Sequence, residues 1–514
     1  VIINEQAHSL GRLPDTLTWT DTITVSNELT IPSGTLLLVY PGSVIIFRDS
    51  ARIIVNGGLQ ARGNVLEPIQ FKGPGGSGTN GNSGIRLMAG TDSVVFEHCH
   101  FTLCGTFHPR GGDGEGAVVI KNRAEAILRQ CSFKQNKSIT GGGAIRSINS
   151  GLQIIGSHFQ ANSSEYSGGA LEINGGGSSI IMNSTFIRNT AILHGGAARI
   201  TDNLAVIQGN LFLENTSIDT ISPGNTTGQG GALSLSHSSA GATLIGNILE
   251  NNRSNSALYI STHYSLVANN LISNNAGVGL FCGHSASLNR YVNNTICYNE
   301  NGGIVLGSSG IWIGNGIIAE NGAGFASNQV IFYADTPVIY HSCITGGYLP
   351  GYSQGVMDAD PLFVRPAPHT GILDSSLRND WRLQAGSPCL DAGNSLVPGN
   401  VLPATDLSGA PRVSGQEVDL GAYEHQVSET SDISISDFNI QITPNPAHSY
   451  LVVRNRTDLM TGKMYIIDIT GNIVRETSLQ TGHIIDIEHL LPGIYICRIL
   501  LADGSGTCQK IIKH

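Results

Sequence analysis

Arg146, Glu172 and Arg199 occupy one recurring position of this chain, 26 and 27 residues apart, each two residues after a Gly-Gly-Ala tripeptide. A carboxylate set between two guanidinium groups could hold an acidic glycan by charge-assisted hydrogen bonds, with Glu172 as Brønsted base. A solvent-exposed ion-pair ladder explains the same row without a ligand. Along the chain the position reads Val119, Arg146, Glu172, Arg199, Ser234 and Tyr259. It contains no second carboxylate, and glycoside hydrolysis needs two across a sugar. Glu172 is therefore the catalytic candidate, and Arg146, Glu172, Arg199 and Tyr259 are the binding candidates.

Other residues invite metal or redox chemistry. Asp391, Asp406 and Asp419 could build a calcium site, or they could cap turns and pair with Arg412. His98 and His100 flank Cys99, and alternation along a strand would project the two imidazoles together. His194, beside a Gly-Gly pair, invites the same reading, but no third ligand stands at useful spacing for the His98–His100 pair, and surface histidines explain all three. Cys99 and Cys131 share one position on successive repeats, so they read either as a disulfide in an oxidising compartment or as two stacked buried thiols.

The elements that must position these groups follow from internal repetition. Gly142-Gly143-Ala144, Gly168-Gly169-Ala170, Gly195-Gly196-Ala197 and Gly230-Gly231-Ala232 alternate with Phe-x-x-Asn tetrapeptides beginning at Phe133, Phe159, Phe186 and Phe212. A fixed period of this size indicates a solenoid or array. Between the motifs lie short apolar runs bounded by Gly, Asn and Ser, which read as strands and sustain no helical period. A coil of about three short strands is one rung of a parallel β-helix, and equivalent residues then stack about 4.8 Å apart.

Three columns are expected. An apolar one runs Phe101, Phe133, Phe159, Phe186, Phe212, Leu249, Ile272, Ile296 and Ile317, each side chain contributing roughly 1.5–3 kcal/mol on burial. Three residues later an asparagine ladder runs from Asn136 to Asn299, its members suited to the left-handed conformation of a sharp turn. Two residues before the apolar column comes a third, from Cys99 and Cys131 through Ser157 and Ser184 to Asn294 and Asn315. The Gly-Gly pairs let the backbone turn where a Cβ would clash.

Charged residues make up 13% of the 514, Gly numbers 65 and the net charge is −10. With no basic run, this balance argues against nucleic-acid binding, and no apolar stretch reaches the 18 or so residues of a membrane span. Val1 opens the sequence with no signal peptide before it, as expected of a processed or trimmed form. The fold class expected is all-β, a right-handed parallel β-helix followed by a small antiparallel β-sandwich. Residues 1–83 read as an N-terminal cap and first coils, 84–357 as the repeats, 358–425 as closing coils and cap, 426–437 as a linker, and 438–514 as the sandwich. Two insertions, 105–114 and 216–228, leave from one edge of the solenoid, where binding loops are often carried.

Several stretches resemble known families. Ser387-Pro388-Cys389-Leu390-Asp391-Ala392-Gly393 and Asp419-Leu420-Gly421-Ala422-Tyr423-Glu424 resemble the closing segment of bacterial surface β-helix proteins of the choice-of-anchor Q type. Thr443-Pro444-Asn445-Pro446, Asp468 to Gly471, Leu491-Pro492-Gly493-Ile494-Tyr495 and the basic end at 510–513 resemble the type A sorting domain of the Bacteroidetes type IX secretion system. That resemblance implies a partnership of residues 438–514 with the secretion machinery and a secreted or outer-membrane surface location. The Gly-Gly-Ala and Phe-x-x-Asn pair is similar to the repeats of chlamydial polymorphic outer-membrane proteins, which are adhesins. Asp-Thr or Asp-Ser triplets resemble the Bacteroidetes O-glycosylation sequon at Thr16, Thr22, Ser93 and Thr220. Together these features lead to an adhesin-like protein binding a glycan, matrix or host ligand, with a polysaccharide lyase or glycoside hydrolase as the alternative. Calcium is the one cofactor the residues suggest.

Overall fold

A computed structural model describes residues 2–3, 15–48, 50–74, 82–90, 94–106, 115–122, 125–218, 229–236, 241–284, 286–322, 329–346, 353–372, 379–396 and 402–426 of the first part of the chain. Of the tail it describes 441–443, 447, 449–454, 462–468, 473–479, 484–501 and 506–513. The chain divides into two compact units, Val1–Val427 and Ser428–His514. The linker expected at 426–437 lies, Gln426 apart, outside the described residues, as does most of both insertions.

The first unit is a parallel β-solenoid without helix among its described residues. Two parallel sheets of fourteen strands each run its length, and a third, built from the strands that follow Gly-Gly-Ala, joins short two-residue strands along one edge. A middle coil therefore holds four strands: for example Ile145–Ile148, Gly151–Ile155, His158–Gln160 and Ser163–Ser164. Within a strand the residues alternate between core and outside, which places Ile145 and Ser147 inside and Arg146 outside.

Phe71, Phe101, Phe133, Phe159, Phe186 and Phe212 stack with ring centroids 4.5–5.0 Å apart and planes within 9° of parallel. All are fully buried. Stacking at the interstrand spacing adds about 0.5–1.5 kcal/mol per pair to the burial itself. The column continues through Leu249, Ile272 and Ile296 to Ile318, not Ile317. The adjacent isoleucine doublet conceals this one-residue shift, and Ile317 instead faces outward against a later segment. By the same shift Gly316, not Asn315, follows Asn294 in the third column, and Gly316 donates its N–H to Ser342.

The asparagine ladder is continuous. Each member from Asn162 to Asn321 accepts both the backbone N–H and an amide N–H of its predecessor at 2.8–3.2 Å, and Asn136 begins the run by accepting the Cys104 N–H. Gln329 closes it. The left-handed residue of the turn is not the ladder asparagine but the one before it: Gln135, Ala161, Arg188, Glu214, Asn251, Asn274, Tyr298 and Glu320 all have φ of 54° ± 2°. The reversal of backbone curvature there sends that side chain outward and turns the next one in, so the amide lies along the solenoid axis. Gly168 has φ +64°, while a Cβ on Gly169 would sit 2.1 Å from the Gly196 carbonyl. The first glycine of the pair thus serves conformation and the second serves close approach.

Residues 358–425 were expected to add coils and a cap. The described residues of this segment fold back along the outside of the later coils instead. Asn269 donates to the Thr405 carbonyl, Asn274 to Gly371, Asn293 to Asp419 and Asn315 to Asn394. Beneath these bonds Phe363, Trp381, Leu383, Cys389 and Leu420 bury an apolar cluster against Leu271, Cys297, Ile317 and Cys343. The second unit packs a three-stranded and a four-stranded antiparallel sheet around Leu451, Val453, Met464, Ile466, Cys497 and Ile499.

Candidate functional site

The strand after each Gly-Gly-Ala builds one outward row: Arg86, Val119, Arg146, Glu172, Arg199, Ser234, Tyr259 and Phe281 are register partners in turn. Arg146 Nε lies 2.8 Å from Glu172 Oε2, and Arg199 contacts Oε1 at 3.8 Å. The row is not a solvent-exposed ladder, because Glu172 is 1% exposed. Gly141 of the preceding coil passes directly over the carboxylate, so close that a Cβ there would sit 2.0 Å from Oε2. Ser138 Oγ holds Gly141 in place by accepting its N–H and donating to its carbonyl. The two arginines close the sides, each keeping about a fifth of its side chain exposed. Burial raises the Glu172 pKa, opposed by Arg146 and Arg199 and by an Asn174 hydrogen bond.

A second carboxylate, absent from the row itself, arrives from beside it. Glu115 lies 3.2 Å from Arg86 Nε and 3.9 Å from Arg146, and also pairs with Lys121. Glu115 and Arg86 are almost wholly buried. Sequence reasoning overlooked both. Arg86 carries a signal, since it stands one coil before Val119 at the same outward position; Glu115 borders an insertion and has no periodic partner. The network joins Arg86, Lys121, Arg146 and Arg199 to Glu115 and Glu172. Four cations against two carboxylates leave two positive charges, on a chain of net charge −10.

Tyr259 lies two coils beyond Arg199, about 10 Å along the solenoid. Its ring stacks on Phe281 with centroids 5.8 Å apart and planes at 22°. The row therefore changes from basic to aromatic along one face. Guanidinium groups grip carboxylates, and half-buried aromatic faces receive the apolar face of a sugar ring.

The remaining candidates are placed elsewhere. Asp419 accepts N–H groups from Asp391 and His425, Asp406 from Ser408, Ala410 and Glu424, and Asp391 from Glu417. These carboxylates cap turns of the returning segment and do not converge on a cation. Buried Arg412 donates to the carbonyls of Asp419 and Gly421 and pairs with Glu424 at 3.9 Å, not with the three aspartates. Glu424 is pushed up to about 7 by burial, with Asp419 adding to the shift and Arg412 opposing it.

Cys99 and Cys131 are free, not bridged. Each thiol points inward and donates to carbonyls at 3.3–3.5 Å, Cys99 to Ala61 and Glu97, Cys131 to Phe96 and Arg129. His98 sits in a left-handed corner at φ 47° rather than in the strand, yet its imidazole is near enough to that of His100 to help lower its pKa. Burial lowers the pKa of both imidazoles. No group of three His, Cys, Asp or Glu side chains among the described residues could hold a metal ion. Thr16 and Thr22 lie exposed on early strands, and Ser93 and Thr220 lie outside the described residues.

Comparison with known families matches residues 441–514 to the secretion system C-terminal sorting domain and residues 134–351 to the periplasmic copper-binding protein (NosD) family. The tail is thus a sorting domain of the type IX kind, and it directs the chain to the cell surface or the extracellular space. Among the described residues no helix is long and apolar enough to cross a membrane. Solved structures with a similar fold include a periplasmic alginate epimerase (11% identity, 70% of this chain and 84% of the other, TM-score 0.41). A tailspike protein of bacteriophage CBA120 (12%, 68% and 59%, 0.37) and a pectate lyase (13%, 77% and 89%, 0.32) also match. A search of curated protein sequences finds no match.

Proposed function

We propose that the solenoid binds an anionic glycan along the outward row from Arg146 to Tyr259, outside the cell that exports it. The observation that carries this reading is the charge arrangement: both carboxylates of the network are buried, whereas Arg146 and Arg199 present surplus positive charge at the surface. A polyuronate would place carboxylates at these two arginines and lay sugar rings toward Tyr259 and Phe281. Matrix and host-cell glycans that carry uronic acids are ligands of the same chemistry.

Glu172 supports a second reading. A buried glutamate of raised pKa, with Glu115 as a second carboxylate reached through Arg146, resembles the acid-base equipment of a lyase or glycoside hydrolase. Against it, both Glu172 oxygens face arginines and the carboxylate is covered by Gly141. No group of three His, Cys, Asp or Glu side chains among the described residues stands together to hold copper, the metal named by the matched family.

The test is calorimetric titration of the full chain with polygalacturonate, alginate and a neutral glucan, with chain cleavage followed in parallel. Binding to the polyuronates alone, weakened at least tenfold by Arg146→Ala with Arg199→Ala and by added salt, supports the proposal. Cleavage abolished by Glu172→Gln would replace it with the enzymatic reading, and equal affinity for the neutral glucan would refute it.

A further inference from the structure

Cys343 and Cys389 are 46 residues apart in sequence, yet both lie as free thiols in the one buried cluster that the last coils form with the returning segment, close enough that each shifts the other's ionisation. Cys343 opens the two-residue strand Cys343–Ile344, and its thiol also donates to the Ala359 carbonyl at 3.1 Å. Cys389 belongs to the turn that starts at Ser387, whose Oγ accepts the Cys389 N–H at 3.1 Å. The Cys389 carbonyl accepts from Leu420 at 3.0 Å. Both side chains are wholly shielded from solvent.

The sorting tail sends this chain out of the reducing cytoplasm, and in an oxidising compartment neighbouring thiols are oxidised and stay so. We propose that Cys343 and Cys389 form a disulfide in the exported protein, which pins the returning segment to the end of the solenoid. The oxidant is a protein disulfide of the export compartment. Before the segment closes, the Cys343 thiolate attacks that disulfide and forms a mixed disulfide; the Cys389 thiolate then attacks the Cys343 sulfur. One S–S bond forms and one breaks, two electrons pass to the oxidant, and its two released thiols carry the two protons.

Cys99 and Cys131 are also neighbours, but they differ in freedom. They stand on successive strands of one parallel sheet, whose pairing holds equivalent Cβ atoms near the interstrand spacing of about 4.8 Å. A disulfide needs about 3.5–4.5 Å between them. Closing that gap would distort the ladder of inward thiols and hydroxyls that follows it. Cys389 lies in a turn, outside any ladder, and can move to meet its partner.

The experiment uses the full chain recovered from the surface or medium of an exporting cell without reductant. Thiols are blocked in denaturant, and the digest is mapped by mass spectrometry. The expected result is a Cys343–Cys389 linked peptide, two hydrogens lighter than its reduced parts, with Cys99 and Cys131 blocked. Reductant should also lower the melting midpoint of the wild type by several degrees while leaving a Cys343→Ser, Cys389→Ser double variant unchanged. Recovery of Cys343 and Cys389 both blocked, or either one linked to another cysteine, overturns the proposal.

Discussion

Replacing Asn189 by leucine keeps the branching of the side chain while removing a link of the ladder, so its effect reports lost hydrogen bonds rather than a cavity. Asn189 donates one amide hydrogen to the Phe159 carbonyl and one to Asn215 Oδ1, each at 3.0 Å. Its own Oδ1 accepts the backbone N–H and an amide N–H of Asn162, again at 3.0 Å. The substitution leaves those two Asn162 hydrogens without acceptors and the Phe159 carbonyl without its amide donor, all in a fully buried column. At about 1–3 kcal/mol for each of the three buried groups left unsatisfied, the loss comes to about 3–9 kcal/mol, a large part of a typical domain stability of about 5–15 kcal/mol. Urea unfolding of the full chain measures it, and amide exchange across coils 159–215 locates it. The neighbouring Arg188→Ala, which removes only an exposed pair with Glu214, should cost less than about 1 kcal/mol. A loss under about 1 kcal/mol for Asn189→Leu, with exchange unchanged at Asn162, would refute the view that the ladder holds the coils together.

Three further outcomes are expected. Ala161 occupies a left-handed corner at φ 52°, so Ala161→Gly should relieve about 1–2 kcal/mol of backbone strain against about 0.4–1 kcal/mol of added unfolded-chain entropy. The net gain of about 0.5–1 kcal/mol would appear as a higher urea midpoint, and a lower midpoint contradicts it. Gly169→Ala should instead abolish folding or cost several kcal/mol, because its Cβ would meet the Gly196 backbone; Gly409→Ala has open space around it but a φ of +88°, and should cost only that strain, about 1–2 kcal/mol. The third concerns pH. The Glu424 carboxyl rises from 4.5 to about 7 on folding, so the folded state holds a proton in that window that the unfolded chain has released. Its stabilising contribution is full below about 4.5 and is lost as pH rises through about 7. Thermal melts at pH 5.5 and pH 8 should show the wild type more stable at the lower pH, with the difference shrinking in Glu424→Gln; an undiminished difference in the variant assigns the effect to other groups.

The solenoid and the sorting tail are legible in the sequence because each is specified by local patterns. A column in a parallel β-helix consists of residues about one coil apart that must all meet the same physical demand, and periodicity therefore writes it into the chain. Phe133, Phe159 and Phe186 show the buried stack, and Asn136, Asn162 and Asn189 show the amide ladder. The tail announces itself by short motifs at turns and strand ends. Where coil length changes, the same logic fails. Ile317 was read for Ile318 because the coil contracts by two residues there, and only the hydrogen-bond register distinguishes two adjacent isoleucines.

The site was legible only in part, for a different reason. Sequence period places Arg146, Glu172 and Arg199 in a row, but it does not say what covers them. Burial of Glu172 is decided by Gly141, whose missing side chain lets another strand of backbone lie across the carboxylate. The pairing of Glu115 with Arg86 and Arg146 depends on where a nonperiodic segment rejoins the solenoid. Likewise the shared burial of Cys343 and Cys389, and the folding of the described part of 358–425 along the flank, arise from contacts between segments that share no period. Repetition fixes what each coil must repeat; exposure, charge balance and contact with nonrepeating segments are properties of surfaces, and surfaces exist only once the coils have stacked.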